Sequence, residues 1–314
     1  MKLFDNFFKK NYFSIILSGT LLMGTVEMRS QIWEPVGNAA GITESTTSFV
    51  HLASDKDNNY YTSFYDLAST KASIMKYNGS VWQHLGEQGI GGAGVTYNSL
   101  SIDANGIVYY TTRSASPDPI TWASPMEVRR FVGDAWERLP NPSTLNANVQ
   151  ASCIIPSTNQ IIVSYMASNG IVMKYNGSTW EQVGATNFGQ GSTFTFLDMV
   201  VDTKDTAYVS FVNKGYVHVY KNSITASSSE AWIPVGDNAN IAAASGSDNF
   251  GSSIAIDKND NLFLAYVSTE SEGRKINVKK FNGTNWSFVG NENFSIGRAN
   301  SINLAVNAEG VPYV

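Results

Sequence analysis

Tyr175-Asn176-Gly177-Ser178-Thr179-Trp180-Glu181-Gln182-Val183-Gly184 decides how this chain is read, because it is one of a series. It recurs as Tyr77-Asn-Gly-Ser-Val-Trp82-Gln-His-Leu-Gly86 and as Phe281-Asn-Gly-Thr-Asn-Trp286-Ser-Phe-Val-Gly290. A weaker copy is Phe131-Val-Gly-Asp-Ala-Trp136-Glu-Arg-Leu-Pro140. Trp33-Glu-Pro-Val-Gly37 and Trp232-Ile-Pro-Val-Gly236 keep the second half. Asn-Gly between apolar runs predicts a β-hairpin with a type I′ turn, which needs positive φ at both central residues. Tyr or Phe ends one strand and Trp begins the next, both being rings suited to a packed sheet face. The Asn-Gly-Ser/Thr triplets also match an N-glycosylation acceptor, but turn chemistry alone accounts for them.

Six tryptophans stand in register, at 33, 82, 136, 180, 232 and 286, with intervals of 49, 54, 44, 52 and 54 residues. A second marker keeps step with them. Each unit has an apolar stretch ending in Asp or a substitute: Leu52-Ala-Ser-Asp55, Leu100-Ser-Ile-Asp103, Ile154-Ile-Pro-Ser157, Met199-Val-Val-Asp202, Ile254-Ala-Ile-Asp257 and Leu304-Ala-Val-Asn307. A period near fifty with four short strands per unit predicts an all-β fold, a β-propeller of about six four-stranded blades. In the second unit the strands, labelled a to d in chain order within each unit, are expected at 98–103, 107–112, 127–131 and 136–139. In the fifth they are expected at 253–257, 262–267, 276–281 and 286–289. The last unit holds only two strands, 302–306 and 311–314. Trp33 to Gly37 would complete it by circular closure; the alternative is a chain cut from a longer protein.

Residues 1–30 have the pattern of a signal peptide, with Lys2, Lys9 and Lys10 before a twelve-residue apolar run that is too short to span a bilayer. Residues 31–314 are then the propeller domain, secreted or held at the cell surface, and expected to be monomeric. Only 15% of the chain is charged and its net charge is −5, which disfavours nucleic acid and anionic membranes as partners. Cys153 is the single cysteine, so neither an intramolecular disulfide nor a Cys-based zinc site is expected. No motif calls for a cofactor or metal. The Asp- and Asn-rich turns at 55–59, 103–106 and 257–261 lack the alternating ligands and terminal Glu of a calcium loop, and read as turn chemistry.

The run Ser253-Ile-Ala-Ile-Asp257-Lys-Asn-Asp-Asn-Leu-Phe-Leu-Ala-Tyr266, followed by Val278-Lys-Lys-Phe-Asn-Gly-Thr-Asn-Trp286-Ser-Phe-Val-Gly290, resembles the repeats of secreted bacterial β-propeller proteins. Those repeats read SLAID, then YVAY, then KYNGTSW and VG, and occur in exported proteins of Bacteroidetes-like bacteria that often carry a C-terminal sorting domain. The resemblance covers residues 32–314. It implies the fold and export and is nearly silent on activity. Ile155-Pro156-Ser157 departs from the repeat's Ala-Ile-Asp.

Two places stand out as candidate ligand sites. Four residues before each Asp marker lie His51, Ser99, Cys153, Asp198, Ser253 and Asn303, each followed by an apolar residue. Strand a is innermost in a propeller, so these six are expected to ring the mouth of the central channel. The second place is the insertion from Arg113 to Pro125, which carries Asp118 and Trp122, the one tryptophan outside the repeat register. A ring beside Arg113 and Asp118 suits stacking on a sugar or peptide. A further insertion, 223–231, reads as flexible decoration.

With no catalytic motif, the leading reading is a non-catalytic exported propeller that binds a glycan or an extracellular protein through its loop face. One alternative is an extracellular glycoside hydrolase or polysaccharide lyase, with Asp66, Asp118, Glu127 and Asp198 as candidate carboxylates. Another is a structural segment of a larger surface adhesin.

Overall fold

The computed structural model describes residues 35–37, 41–91, 97–113, 124–186, 188, 195–236, 239–245 and 251–314. The expected signal peptide, 1–30, and Trp33, Asp118 and Trp122 lie outside the described residues. The chain divides into two units, Met1–Ala39 and Ala40–Val314, and all the described sheets belong to the second. The described residues contain no α-helix and one 3₁₀ turn, Glu270–Glu272. Five antiparallel sheets succeed one another, each in the strand order a-b-c-d, and a two-stranded piece, Ala305–Val306 with Pro312–Tyr313, comes last. The innermost strands are Thr47–Ser54, Ser99–Ile102, Gln150–Ile154, Thr195–Val201 and Ser252–Ile256, and each touches the next in succession. The chain is a β-propeller, and the expected strand positions in the second and fifth blades fall within about one residue of those observed.

The core is divided among the seams between blades. One apolar cluster joins Ile162 and Val172 of the third blade to Met199, Phe211 and Trp232 of the fourth. Others join the second blade to the third, the fourth to the fifth, and the first to the second. An isolated four-stranded sheet would expose both faces, and radial stacking removes that exposure. In the first blade Leu52 is 70% exposed, whereas its counterparts Met199 and Ile254 are 2% and 3% exposed. That flank of the first blade is uncovered among the described residues.

The Trp-x-x-Val/Leu-Gly half of the repeat works between blades. Trp136 Nε1 donates to the Leu85 carbonyl at 2.7 Å, Trp286 to that of Val235 at 2.9 Å and Trp180 to that of Pro140 at 2.6 Å. Each indole therefore reaches the end of strand d in the blade before it. The residue after Leu85 is Gly86 and that after Val235 is Gly236, and in the seam between the third and fourth blades Gly184 holds the same place beside Trp232. Each has positive φ, and a Cβ there would lie 2.9 Å from Trp136, 3.1 Å from Trp286 or 2.6 Å from Trp232. Glycine is required twice over, for the left-handed backbone and for the ring that lies on it.

The hairpin turn differs from the type I′ expectation in the three strongest copies. Gly79, Gly177 and Gly283 have positive φ but the preceding asparagines do not. Asn78 instead sits at the turn's first corner, and its side-chain oxygen accepts the Ser80 and Val81 amides at 3.0 and 2.9 Å. Asn176 and Asn282 do the same. Once the carboxamide is anchored there the turn moves one residue on, with glycine as the sole left-handed residue, as in a type II′ turn. Only the weak copy, Gly133-Asp134, has positive φ at both centres.

The Asp markers close the a–b turns. Asp55, Asp103, Asp202 and Asp257 each accept the amides two and four residues ahead, and Asn307 does so with its amide oxygen, all at 2.8–3.1 Å. In the third blade this position is held by Ile155, whose amide reaches Gln160. The turn there is one residue longer, so aligning the blade on Ser157 is wrong by two residues. Residues 223–231 also differ from expectation. Ile224 and Ala226 are buried, and the carbonyls of Ala226 and Glu230 accept the amides of Gly184 and Ala185 from the third blade. The insertion is packed, because the wide c–d turn has a neighbouring strand end to cover.

Asp66, at the end of strand b in the first blade, accepts bonds from the Ser45 hydroxyl, the Ala68 amide and Gln88. The Ser45 bond is the main reason its pKa falls to about 2. The folded state therefore takes up this proton less readily than the unfolded chain does. Its stabilisation is present above the ordinary carboxylate range and is lost as the pH falls from about 4 to about 2. Asp66→Asn is expected to flatten that part of the stability–pH curve, as followed by urea midpoints.

Candidate functional site

The starts of the a strands enclose a cavity of about 340 Å³ on the axis. His51, Ser99, Asp198, Ser253 and Asn303 all line it, so the structure gathers five of the six ring residues read from the sequence. Cys153 is not among the lining residues. The register shift in the third blade puts Ala151 opposite Ser164, where Ser99 stands opposite Thr111 and Asp198 opposite Ser210. Cys153 lies two residues further on, packed against the seam with the fourth blade, where burial pushes its thiol pKa up. Among the described residues no group of three or more His, Cys, Asp or Glu could hold a metal.

Neighbouring blades are stitched through these residues. Asp198 Oδ2 accepts the Ser253 hydroxyl at 2.9 Å and the Ile254 amide at 3.0 Å, and Oδ1 accepts the Met199 amide. The Ser253 oxygen in turn accepts the Leu304 amide at 3.1 Å. The Ser99 oxygen accepts both the amide and the hydroxyl of Ser152. Burial raises the Asp198 pKa, and the three hydrogen bonds oppose the rise. Burial lowers the pKa of His51, which favours the neutral imidazole.

The rim adds residues that sequence reasoning missed. Phe49 and Tyr97 lie two residues before His51 and Ser99, and their rings meet at 5.6 Å with an angle of 55°. Both are about 40% exposed, and both have φ near +50°, a costly conformation for an aromatic residue. Asn98 holds the Phe49 carbonyl at 2.8 Å, and Gln150 donates to that of Tyr97. The available signal was the recurrence of an aromatic two positions before the ring residue.

The other candidates do not converge here. Arg113 ends strand b of the second blade, Val108–Arg113. Asp66, held by Ser45, Ala68 and Gln88, is not among the lining residues, and Glu127 is 4% exposed and paired with Arg129 and Arg138. The described lining residues therefore contain one carboxylate, Asp198, and no Lys or Arg. A different pair, Glu272 and Glu292, shares a pocket in the fifth blade with Tyr266 and Lys279. Both glutamates are exposed, and Glu272 caps its 3₁₀ turn by accepting from Thr269.

No family model and no curated protein matches the sequence. Solved structures do match the fold. The SapL1 lectin in complex with α-methyl fucoside is 11% identical, with a TM-score of 0.57 over 82% of this chain and 85% of the lectin. The Trypanosoma rangeli sialidase is 10% identical, with a TM-score of 0.57 over 88% of this chain and 52% of the enzyme. The Hadza microbial sialidase Hz136 is 10% identical, with a TM-score of 0.55 over 76% of this chain and 57% of that one. The chain thus spans little more than half the length of the two sialidases.

Proposed function

We propose that the chain is an exported, non-catalytic carbohydrate-binding propeller whose ligand enters the mouth of the central channel. The observation that carries this reading is the makeup of the axial cavity. Its described walls combine neutral donors and acceptors, among them Ser99, Asn98, Gln150, Ser253 and Asn303, with the rings of Phe49 and Tyr97. Such walls suit a polyhydroxylated ligand with an apolar ring face. A phosphorylated ligand finds no Lys or Arg among the described lining residues. Glycoside hydrolysis normally takes two carboxylates flanking the bond, and the described lining residues supply one. The folds of a fucoside-bound lectin and of two sialidases fit either binding or hydrolysis, and the described lining is what supports binding.

The test is a glycan array on the mature chain, run beside Trp122→Ala and Asp198→Asn. Binding lost with Asp198→Asn and kept with Trp122→Ala supports the channel mouth. The reverse result moves the site to the 113–125 insertion. Hydrolysis of array glycans would overturn the non-catalytic reading, with Glu272 and Glu292 the first residues to replace.

A further inference from the structure

Away from the axis, the outer half of the fourth blade holds a second pocket, of about 210 Å³, that the channel-mouth site does not use. Its wall is one side of strand c, Tyr216–Ser223. Alternate residues share a strand face, so Tyr216, His218 and Tyr220 stand in a row. Phe211 on strand b stacks on His218 at 5.2 Å and 23° and on Tyr220 at 5.7 Å and 25°. His218 is fixed in place, with Nδ1 2.8 Å from the Ala239 carbonyl and Nε2 3.3 Å from that of Asn213. Strand c is lengthened here by pairing with Ala242–Ala243 from the d–a loop, which makes this the one described blade with a fifth strand. The ladder is therefore a rigid panel of rings whose outer end, Tyr216, is 42% exposed.

Charge narrows the choice of ligand. The described lining residues include Lys214 and no carboxylate, in a chain whose net charge is −5. Lys214 is exposed on the b–c turn and makes no ion pair among the described residues. The corresponding place in the fifth blade is also open, but it carries Glu272 and Glu292. There Tyr266 stands opposite Asn277, as Phe211 stands opposite His218 in the fourth blade. The two pockets share a position in the repeat and differ in sign. The first blade closes this position: Ser73, the counterpart of His218, is fully buried and accepts the Gly89 amide.

We propose that the fourth-blade pocket binds a single anionic sugar ring, a hexuronate, with its apolar face on the Tyr216–His218–Tyr220 panel and its carboxylate toward Lys214. An aromatic wall supplies the stacking surface, the small volume limits the ligand to one ring, and the lysine selects the charge. This site is separate from the channel mouth, and one can fail without the other.

Calorimetric titration of the mature chain with glucuronate and with glucose tests it. Glucuronate should bind more tightly by about fivefold, the worth of one solvent-screened charge pair. Lys214→Gln should remove that preference and leave glucose binding unchanged. Tyr216→Ala should weaken both sugars by about fivefold or more, through loss of the stacking surface. Asp198→Asn, at the axial cavity, should leave the preference for glucuronate over glucose in place, which separates this pocket from the axial one. The proposal is overturned if glucuronate does not bind, if Lys214→Gln keeps the preference, or if Tyr216→Ala binds like the parent.

Discussion

Replacing Trp232 with alanine is expected to cost about 3–5 kcal/mol, the range for removing a buried indole from a packed core. Trp232 is 7% exposed and belongs to the cluster that joins the third and fourth blades. Its ring lies 5.3 Å from that of Phe188 and rests on Gly184. Unlike Trp136 and Trp286, its buried Nε1 finds no acceptor among the described residues, so no hydrogen bond is lost with the ring. The seam itself can be tested more sharply through the glycine. Gly184→Ala combines a left-handed backbone with a Cβ 2.6 Å from both Trp232 Nε1 and Asn222 Nδ2. Strain and overpacking together should cost about 2–4 kcal/mol. Gly290→Ala is the control, because Gly290 has similar φ but nothing within 4 Å of the added carbon. It should cost only the backbone strain, about 1 kcal/mol. Urea unfolding of the two variants separates these terms. Equal losses would mean that the Gly–Trp contact does not hold the seam.

Asp198→Ala should abolish glycan binding at the axial cavity and destabilise the fold by about 1–3 kcal/mol, since the Ser253 hydroxyl and the Ile254 amide lose their acceptor. Its pH signature is distinctive. Burial raises the folded-state pKa of Asp198, so the folded protein takes up this proton more readily than the unfolded chain. The stability linked to that proton is fully present below the unfolded pKa and is lost as the pH rises through the folded one. Asp66 behaves in the opposite sense. Removing Asp198 should therefore make stability less dependent on pH above the ordinary carboxylate range, whereas removing Asp66 flattens the curve only between about pH 4 and about 2. A variant that keeps full glycan binding with an altered pH profile would leave Asp198 as a stitch between blades and move the ligand elsewhere.

The two sites were legible in the sequence to different degrees. A polar residue recurring four positions before each Asp marker was enough to name five of the cavity residues, because identical strands place identical positions at the same radius. It failed at Cys153 because Ile155 holds the marker position there and lengthens the turn. The Tyr216–His218–Tyr220 panel was missed because it belongs to one blade and repeats nowhere.

By itself the sequence determined whatever is local: the fifty-residue period, the strand limits, the Asn and Asp residues that cap their own turns within four residues, and the need for glycine at each hairpin. Tertiary structure alone decided what joins one repeat to the next. The glycine that closes one Trp motif serves the tryptophan of the following blade, about fifty residues on, as Trp136 meets Leu85 and Gly86 and Trp286 meets Val235 and Gly236. Likewise residues 223–231, read as decoration, cover the strand end at Gly184. Backbone hydrogen bonding within a turn leaves a mark in neighbouring letters. A seam between two stacked sheets is set by shape and radius, and its partners carry no common spacing until the blades are closed against each other.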